Sequence, residues 1–145
     1  MTNVKKPEDA RSLQDVFDLA VTRVLRNRRP AYVGDDCAYR TPRGKDGHRS
    51  VCAVGALIPA HLYSARIEGR GIGSVIWARP EVLPGNIHAI PGVRDFLIRL
   101  QAAHDEPARR WHIGICTKQE FKADFLERCR RVANQFNLDP SVAAG

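Results

Sequence analysis

The sequence predicts an α+β fold, with about four helices packed around a small antiparallel hairpin or sheet in a single compact domain. The chain of 145 residues is close to the usual size of one domain. Apolar residues recur at helical spacing in three segments, and a polar, turn-rich stretch separates two short apolar ones between residues 37 and 55. We expect a flexible N-terminal arm over residues 1–10, the globular domain over 11–140 and a C-terminal tail over 141–145.

The first helix is predicted to start at residue 12. Ser12 and Asp15 form an S-x-x-D pattern, which is typical of a helix N-terminus. The helix has to end before Pro30, because the residue that precedes a proline is pushed out of the helical region. Spacings of three and four residues place these apolar side chains on one buried stripe: Leu13, Val16, Phe17, Ala20, Val21, Val24 and Leu25.

A hairpin is predicted between Cys37 and Gly55. A long polar loop over residues 41–50, called the hairpin loop below, joins two short apolar stretches. Within the loop, Asp46-Gly47 is a favourable turn dipeptide.

The elements predicted after the hairpin are short. Pro59 suits the first position of a short helix that carries Leu62 and Tyr63. Prolines and glycines then punctuate residues 80–92, which predicts an ordered surface loop with little regular structure, in the part of the chain where we most expect mobility.

Two amphipathic helices are predicted in the C-terminal part. The first runs from Val93 to about His104 and is closed by Pro107. The second starts at Thr117, which forms a T-x-x-E capping box with Glu120. Its buried stripe consists of Phe121, Phe125, Cys129, Val132, Ala133 and Phe136.

The charge of the chain favours anionic partners. Lys and Arg number 23 against 16 Asp and Glu, a formal net charge of +7. Such an excess attracts nucleic acid, nucleotides or an acidic protein, and it also fits a generally basic surface. No apolar run approaches the roughly 18 residues of a membrane span, and the N-terminus lacks the apolar stretch of a signal peptide. We therefore expect a cytoplasmic protein with no membrane partner.

The cysteines admit several roles. Cys37, Cys52, Cys116 and Cys129 are separated by 14, 63 and 12 residues, which fits no paired CxxC zinc motif and predicts reduced thiols. Cys37 and Cys52 lie on either side of the hairpin loop. Three roles are open for them: buried small hydrophobes, a disulfide or redox pair, or a metal site that needs further ligands such as His48. We assign no residue as catalytic or metal-binding and expect no cofactor.

Two further patterns are less specific. The segment Gly69-x-Gly71-x-Gly73 resembles a phosphate-cradling loop in composition, but it matches neither the Walker nor the dinucleotide pattern and is equally an ordinary connector. The His104-Asp105 pair invites a catalytic interpretation. Adjacent side chains on a helix point about 100° apart, however, which predicts a cap at the helix end instead of a direct pair.

Basic residues cluster around the hairpin. We expect the end of the first helix and the hairpin loop to converge on a nucleic-acid backbone or another anion, with an aromatic ring to stack on a base. A dispersed set of solvated charges is the alternative. The candidate binding residues are Arg28, Arg29, Tyr39, Arg40, Arg43, Lys45, His48, Arg49 and Arg70.

The strings Cys37-Ala-Tyr-Arg and Cys52-Ala-Val-Gly-Ala-Leu-Ile-Pro resemble a segment of a family of small bacteriophage and prophage proteins with no established activity. In that family an amphipathic helix precedes the segment, and a His-Asp dipeptide and a final helix follow it, so the similarity covers residues 13–138. The hairpin loop of this chain is longer and more basic, and Ala60 stands where an acidic residue is common. The resemblance implies a phage-type origin and an action through binding.

Together these patterns lead us to expect a non-catalytic accessory protein of phage type in the cytoplasm of the host cell. It would bind an anionic partner, nucleic acid first, through the basic hairpin loop. Three alternatives stay open. The first is an inhibitor that binds a host defence protein or sequesters a signalling nucleotide. The second is a small metal-dependent or thiol enzyme built on Cys37, Cys52 and His48. The third is a structural or oligomerising protein that uses the apolar helix stripes as an interface.

Overall fold

A computed structural model describes residues 4–144, except for the side chain of Trp77. This part of the chain forms five α-helices and one two-stranded antiparallel sheet in a single domain, which confirms the predicted α+β class. None of the described helices is long and apolar enough to cross a membrane. The elements are α1 (Leu13–Val24), β1 (Tyr32–Val33), β2 (Asp36–Cys37), α2 (Ile72–Ala78), α3 (Gly85–His88), α4 (Val93–His112) and α5 (Lys118–Gln135). Short 3-10 helices occur at Pro7–Asp9, Gly55–Leu57, Ala65–Ile67, Pro80–Val82 and Ser141–Ala143.

Two predicted helix starts are confirmed. At α1, Ser12 Oγ accepts a hydrogen bond from the N–H of Asp15 at 3.1 Å, and the helix ends before Pro30 as expected. At α5, Thr117 and Glu120 form the reciprocal capping box, with distances of 3.0 and 3.1 Å. Each N-cap side chain satisfies a backbone N–H group that a helix N-terminus otherwise leaves without a partner.

The buried amide of Asn27 joins the end of α1 to the hairpin. Its Nδ2 donates to the carbonyl oxygen of Val51 at 2.8 Å, and its Oδ1 accepts from the N–H of Val51 at 3.0 Å. The hydroxyl of Ser50 donates to the carbonyl oxygen of Arg29 at 2.6 Å in the same joint. The Asn27 side chain thus takes the place of a neighbouring strand for the backbone of Val51.

The predicted hairpin is present with less strand than expected. Arg40 and Val51 form an isolated antiparallel bridge at its base. The chain then turns sharply, and Gly55 lies against the backbone of Tyr39, where a Cβ atom would come within 1.8 Å of the Tyr39 carbonyl oxygen. Only glycine allows this approach, so the second strand ends early and a 3-10 helix follows.

The regular strand pair lies just before this hairpin. β1 and β2 are antiparallel, with Tyr32 opposite Cys37 and Val33 opposite Asp36. The sequence does not predict this pair, because strands of two residues leave no alternation to detect.

The prediction that Pro107 closes the fourth helix is wrong, since α4 runs through it to His112. Proline removes one backbone hydrogen bond, but the apolar stripe of α4 continues beyond it and packs against α5 as an antiparallel partner. The rings of Trp111 and Phe121 lie 4.9 Å apart between centroids in this contact. Packing of the last turn therefore offsets the cost of the proline.

The segment after the hairpin differs from the prediction in two places. Residues from Pro59 to Tyr63 form a hydrogen-bonded turn in place of the short helix. Residues 80–92 contain a 3-10 helix and α3, and the side chains of Val82 and Ile87 are buried. The expectation of little regular structure is wrong here, because apolar side chains between the prolines anchor the segment in the core.

The described parts of both chain ends contact the domain. Ala10 is fully buried, and its carbonyl oxygen accepts from Nδ2 of Asn86 at 2.8 Å. Ala143 is also fully buried. The flexibility predicted for the arm and the tail stays a prediction, and residues 1–3 and 145 lie outside the described part.

The two hydrogen bonds between Asn27 and Val51 yield a prediction about the stability of the fold. Replacement by alanine removes both hydrogen bonds to Val51, so we expect Asn27→Ala to lower the free energy of unfolding by about 2 kcal/mol. Denaturant titration measures this change. The exposed Asn134 on α5 is the matched control, and Asn134→Ala should change stability by less than about 0.5 kcal/mol. Equal effects of the two variants would contradict the proposed joint.

Candidate functional site

An open cavity of about 510 Å³ lies beside the base of the hairpin. Its walls combine apolar and charged side chains, a composition that suits an amphipathic ligand. The apolar wall includes Val33, Ala38 and Pro42. The charged and polar edge consists of Asp36, Arg40, Arg49, Tyr63 and Glu68.

The carboxylate of Glu68 fixes the shape of this cavity. One oxygen accepts from the N–H of Tyr39 at 2.9 Å, and the other accepts from the N–H of Arg40 at 3.2 Å and from the hydroxyl of Tyr63 at 2.5 Å. These bonds hold the hairpin backbone and the Tyr63 ring in one arrangement. They also occupy the carboxylate, which forms no ion pair in the described part of the chain.

Arginine side chains converge next to the cavity. Arg40, Arg43 and Arg49, called the arginine cluster below, line a neighbouring depression of about 460 Å³. Arg23 also lines it, but its guanidinium group donates to the carbonyl oxygens of Ala56 and Lys5. The floor of the depression is apolar and contains Ala56 and Ile58. Arg40 and Arg49 line both hollows, so the cluster stands between the depression and the larger cavity.

The arginine cluster carries positive charge without an acidic partner. Within residues 4–144, none of its three side chains forms an ion pair with a carboxylate. Partial burial, followed by the charges of Arg40 and Arg43, lowers the pKa of Arg49. The Nε atom of Arg49 is buried and has no hydrogen-bond partner in the described structure.

The Arg40 side chain is positioned by an aromatic ring. Its guanidinium carbon lies 3.7 Å from the centre of the Tyr63 ring, in a cation–π contact. The sequence analysis placed Tyr63 on a short helix and missed its part in this site.

Arg28 and Arg29 belong to a different arrangement. Each has a guanidinium nitrogen 3.5 Å from a carboxylate oxygen of Asp46, and Arg29 donates to the carbonyl oxygen of His48 at 2.6 Å. The hydrogen bond from the N–H of His48, and then the charge of Arg29, lowers the pKa of Asp46. These contacts hold the hairpin loop in place, and the Asp46 carboxylate offsets part of the positive charge of the two arginines. Lys45 is exposed near the same turn.

Tyr39 and Arg70 lie apart from the arginine cluster. The Tyr39 residue is only 4% exposed, and its hydroxyl donates to the carbonyl oxygen of Arg70 at 2.6 Å. Tyr39 therefore offers no surface on which a base could stack. The exposed Arg70 lines another cavity, of about 260 Å³.

A second cluster, which the sequence does not predict, consists of Cys37, His104 and Asp105. Cys37 Sγ donates to Oδ1 of Asp105 at 3.2 Å and lies 3.9 Å from Nδ1 of His104, which is 3.1 Å from the same oxygen. The expectation that the His104 and Asp105 side chains cap the end of a helix, and that they do not pair directly, is wrong. Both lie inside α4, and the angle of about 100° between adjacent side-chain directions does not limit where a ring and a carboxylate meet.

The thiol of Cys37 is not activated as a nucleophile. Burial, followed by the proximity of Cys52 and Asp105, raises the pKa of Cys37 far above its ordinary value. A nucleophilic cysteine requires the opposite shift. All four cysteines are free thiols, and the histidine beside Cys37 is His104 rather than His48.

Comparisons with protein-family models, with curated proteins and with solved structures found no match. The resemblance to small phage and prophage proteins therefore stays a prediction from the sequence. Function has to be argued from the geometry of the two clusters.

The tyrosines yield a prediction of pH dependence. Burial raises the pKa of Tyr32 and of Tyr63 to about 12, and it raises the pKa of Tyr39 further. A raised pKa means that the neutral phenols stabilise the fold below pH ~10, and that this contribution is lost as the pH rises through about 12. Ultraviolet difference titration should show almost no phenolate at pH ~10.5 in the folded protein. One full equivalent of phenolate at that pH would contradict the described environments.

Proposed function

We propose that this protein is a small accessory protein of phage type that binds single-stranded nucleic acid through the arginine cluster. The observation that carries the proposal is the convergence of Arg40, Arg43 and Arg49 without a carboxylate. Like charges held together repel one another, and a phosphate group relieves this repulsion by accepting their hydrogen bonds.

The two hollows support a nucleotide as the recognised unit. Arg40 and Arg49 border both, so a phosphate bound to them lies at the entrance of the 510 Å³ cavity. The apolar wall of that cavity, with Val33 and Pro42, then receives the attached sugar and base. A base in a duplex is stacked and paired and cannot enter in this way, which favours a single strand.

The hairpin loop extends the positive surface in one direction. Lys45 and His48 are exposed on it, and Arg28 and Arg29 share the single carboxylate of Asp46, which leaves a net positive charge there. Neighbouring phosphates of a strand would follow this surface. Contacts of this kind supply affinity with little sequence preference.

Fluorescence anisotropy with a labelled single-stranded oligonucleotide tests the proposal. One phosphate held by the arginine cluster and two more along the hairpin loop predict a slope of about −2 for log affinity against log salt, so that a fourfold rise in salt weakens binding roughly 16-fold. The double variant Arg43→Ala/Arg49→Ala removes the cluster phosphate and should lower the magnitude of the slope by about 0.7. Duplex of the same sequence should bind more weakly than either single-stranded DNA or RNA.

A matched control keeps the net charge of the variant equal. Arg99 and Arg110 are exposed on α4, and Arg99→Ala/Arg110→Ala removes the same two charges away from the cluster. Its slope should stay within experimental error of the unmodified protein. Equal losses in both double variants, or no binding at low salt, would overturn the proposal. Competition by a mononucleotide that matches the oligonucleotide would assign the site to a free nucleotide instead.

A further inference from the structure

Three different metal-ligating atoms meet on the other side of β2. They are Sγ of Cys37, Nδ1 of His104 and Oδ1 of Asp105, and they all lie within 4.8 Å of one another. The separations are 3.2 Å from sulfur to oxygen, 3.1 Å from nitrogen to oxygen and 3.9 Å from sulfur to nitrogen. Cys37 comes from the strand end and the other two from α4, so the packing of β2 on α4 assembles the group.

These separations resemble the edges of a tetrahedral zinc site. Zinc lies about 2.3 Å from a thiolate sulfur and about 2.0 to 2.1 Å from imidazole nitrogen or carboxylate oxygen, which places neighbouring ligand atoms about 3.3 to 3.6 Å apart. Shifts of a few tenths of an ångström would bring all three atoms to these distances. The chemistry of the set, one soft sulfur with one imidazole and one carboxylate, also suits zinc and related divalent ions.

The hydrogen bonding of His104 points the same way. The side chain is fully buried, and its Nε2 has no hydrogen-bond partner in the described structure. If Nδ1 carries the proton, the lone pair of Nε2 is buried among the rings of Phe121 and Phe125 with no donor. If Nε2 carries the proton, the lone pair of Nδ1 faces the Asp105 carboxylate at 3.1 Å. A cation between Nδ1 and the carboxylate removes this repulsion, and the Nε2–H group then lies among the rings of Phe121 and Phe125.

Asp105 is oriented by a residue that binds two elements together. Gln101 donates from Nε2 to Oδ1 of Asp105 at 2.7 Å, while its Oε1 accepts from the N–H of Val54 at 2.9 Å. Outer hydrogen bonds of this kind hold a carboxylate ligand in place and tune its affinity for a metal.

One side of the cluster is open. The cavity of about 260 Å³ is lined by Cys37 and Asp105 and also by Cys52 and Gln101. Three protein ligands beside an open position are typical of a metal that accepts water or another exogenous ligand, in contrast with the closed set of four in structural sites.

We infer that Cys37, His104 and Asp105 form a binding site for a zinc-class divalent cation, with a fourth coordination position that faces the cavity beside Cys52. Binding exchanges the thiol proton of Cys37 for the metal, so one proton is released to solvent for each ion bound. The site is separate from the arginine cluster, and nucleic-acid binding neither requires nor tests it.

Cobalt spectroscopy on untagged, chelator-treated protein provides the test. One equivalent of Co²⁺ should give a thiolate-to-cobalt charge-transfer band and the intense visible bands of tetrahedral cobalt, and Zn²⁺ should displace it. Cys37→Ser should abolish the charge-transfer band, and Asp105→Asn should weaken Zn²⁺ binding at least about tenfold. Cys116→Ser, which removes a thiol outside the cluster, should leave both properties unchanged.

The spectrum of the unmodified protein is decisive even if a variant fails to fold. Absence of a stoichiometric thiolate–cobalt band in the folded protein would overturn the inference. An unaltered band in folded Cys37→Ser, with loss of the band in Cys116→Ser, would overturn it as well. Anisotropy measured with and without Zn²⁺ keeps this result distinct from nucleic-acid binding.

Discussion

The hydrogen bonds accepted by the Glu68 carboxylate hold together the face of the domain that carries the candidate binding site. It accepts hydrogen bonds from the backbone of Tyr39 and Arg40 and from the hydroxyl of Tyr63, three groups that belong to two distant parts of the chain. Apart from these bonds, the hairpin is held by one bridge, a few loop hydrogen bonds and the contacts of Val51 and Ser50 with the end of α1, since its strands hardly form a ladder. A side chain therefore supplies the backbone pairing that a sheet would supply elsewhere.

The Glu68 hydrogen bonds also fix the extended segment from Cys37 to Arg40, whose side chains lie on two opposite faces. Successive side chains of an extended chain point to opposite sides. Ala38 and Arg40 line the 510 Å³ cavity, whereas Tyr39 lines the 260 Å³ cavity on the other side, and Cys37 borders both. Four residues thus connect an electropositive surface with a half-buried group of metal-ligating atoms. The proximity of the two regions follows from the alternation and requires no coupling between them.

The sequence carries enough information for the elements that have strong local signals. The stripe of α1 and the capping box at Thr117 predict their helices, because burial and capping act on neighbouring residues. The extension of α4 beyond Pro107 is hidden, since packing against α5 overrides the local preference of a proline. Of the two sites, the arginine cluster can be predicted from the sequence, because its basic residues lie in or beside the hairpin loop. The contact of Cys37 with His104 joins residues 67 positions apart, and no local pattern specifies it.

We propose that anion binding depends on the arginine cluster and not on the general positive charge. Nitrogen-15 NMR of the arginine Nε–H groups during titration with a short single-stranded oligonucleotide tests this dependence most directly. We expect shifted and slowly exchanging signals for Arg40, Arg43 and Arg49, with little change for Arg99 and Arg110. Shifts of equal size over all surface arginines, or shifts that spare the arginine cluster, would contradict it.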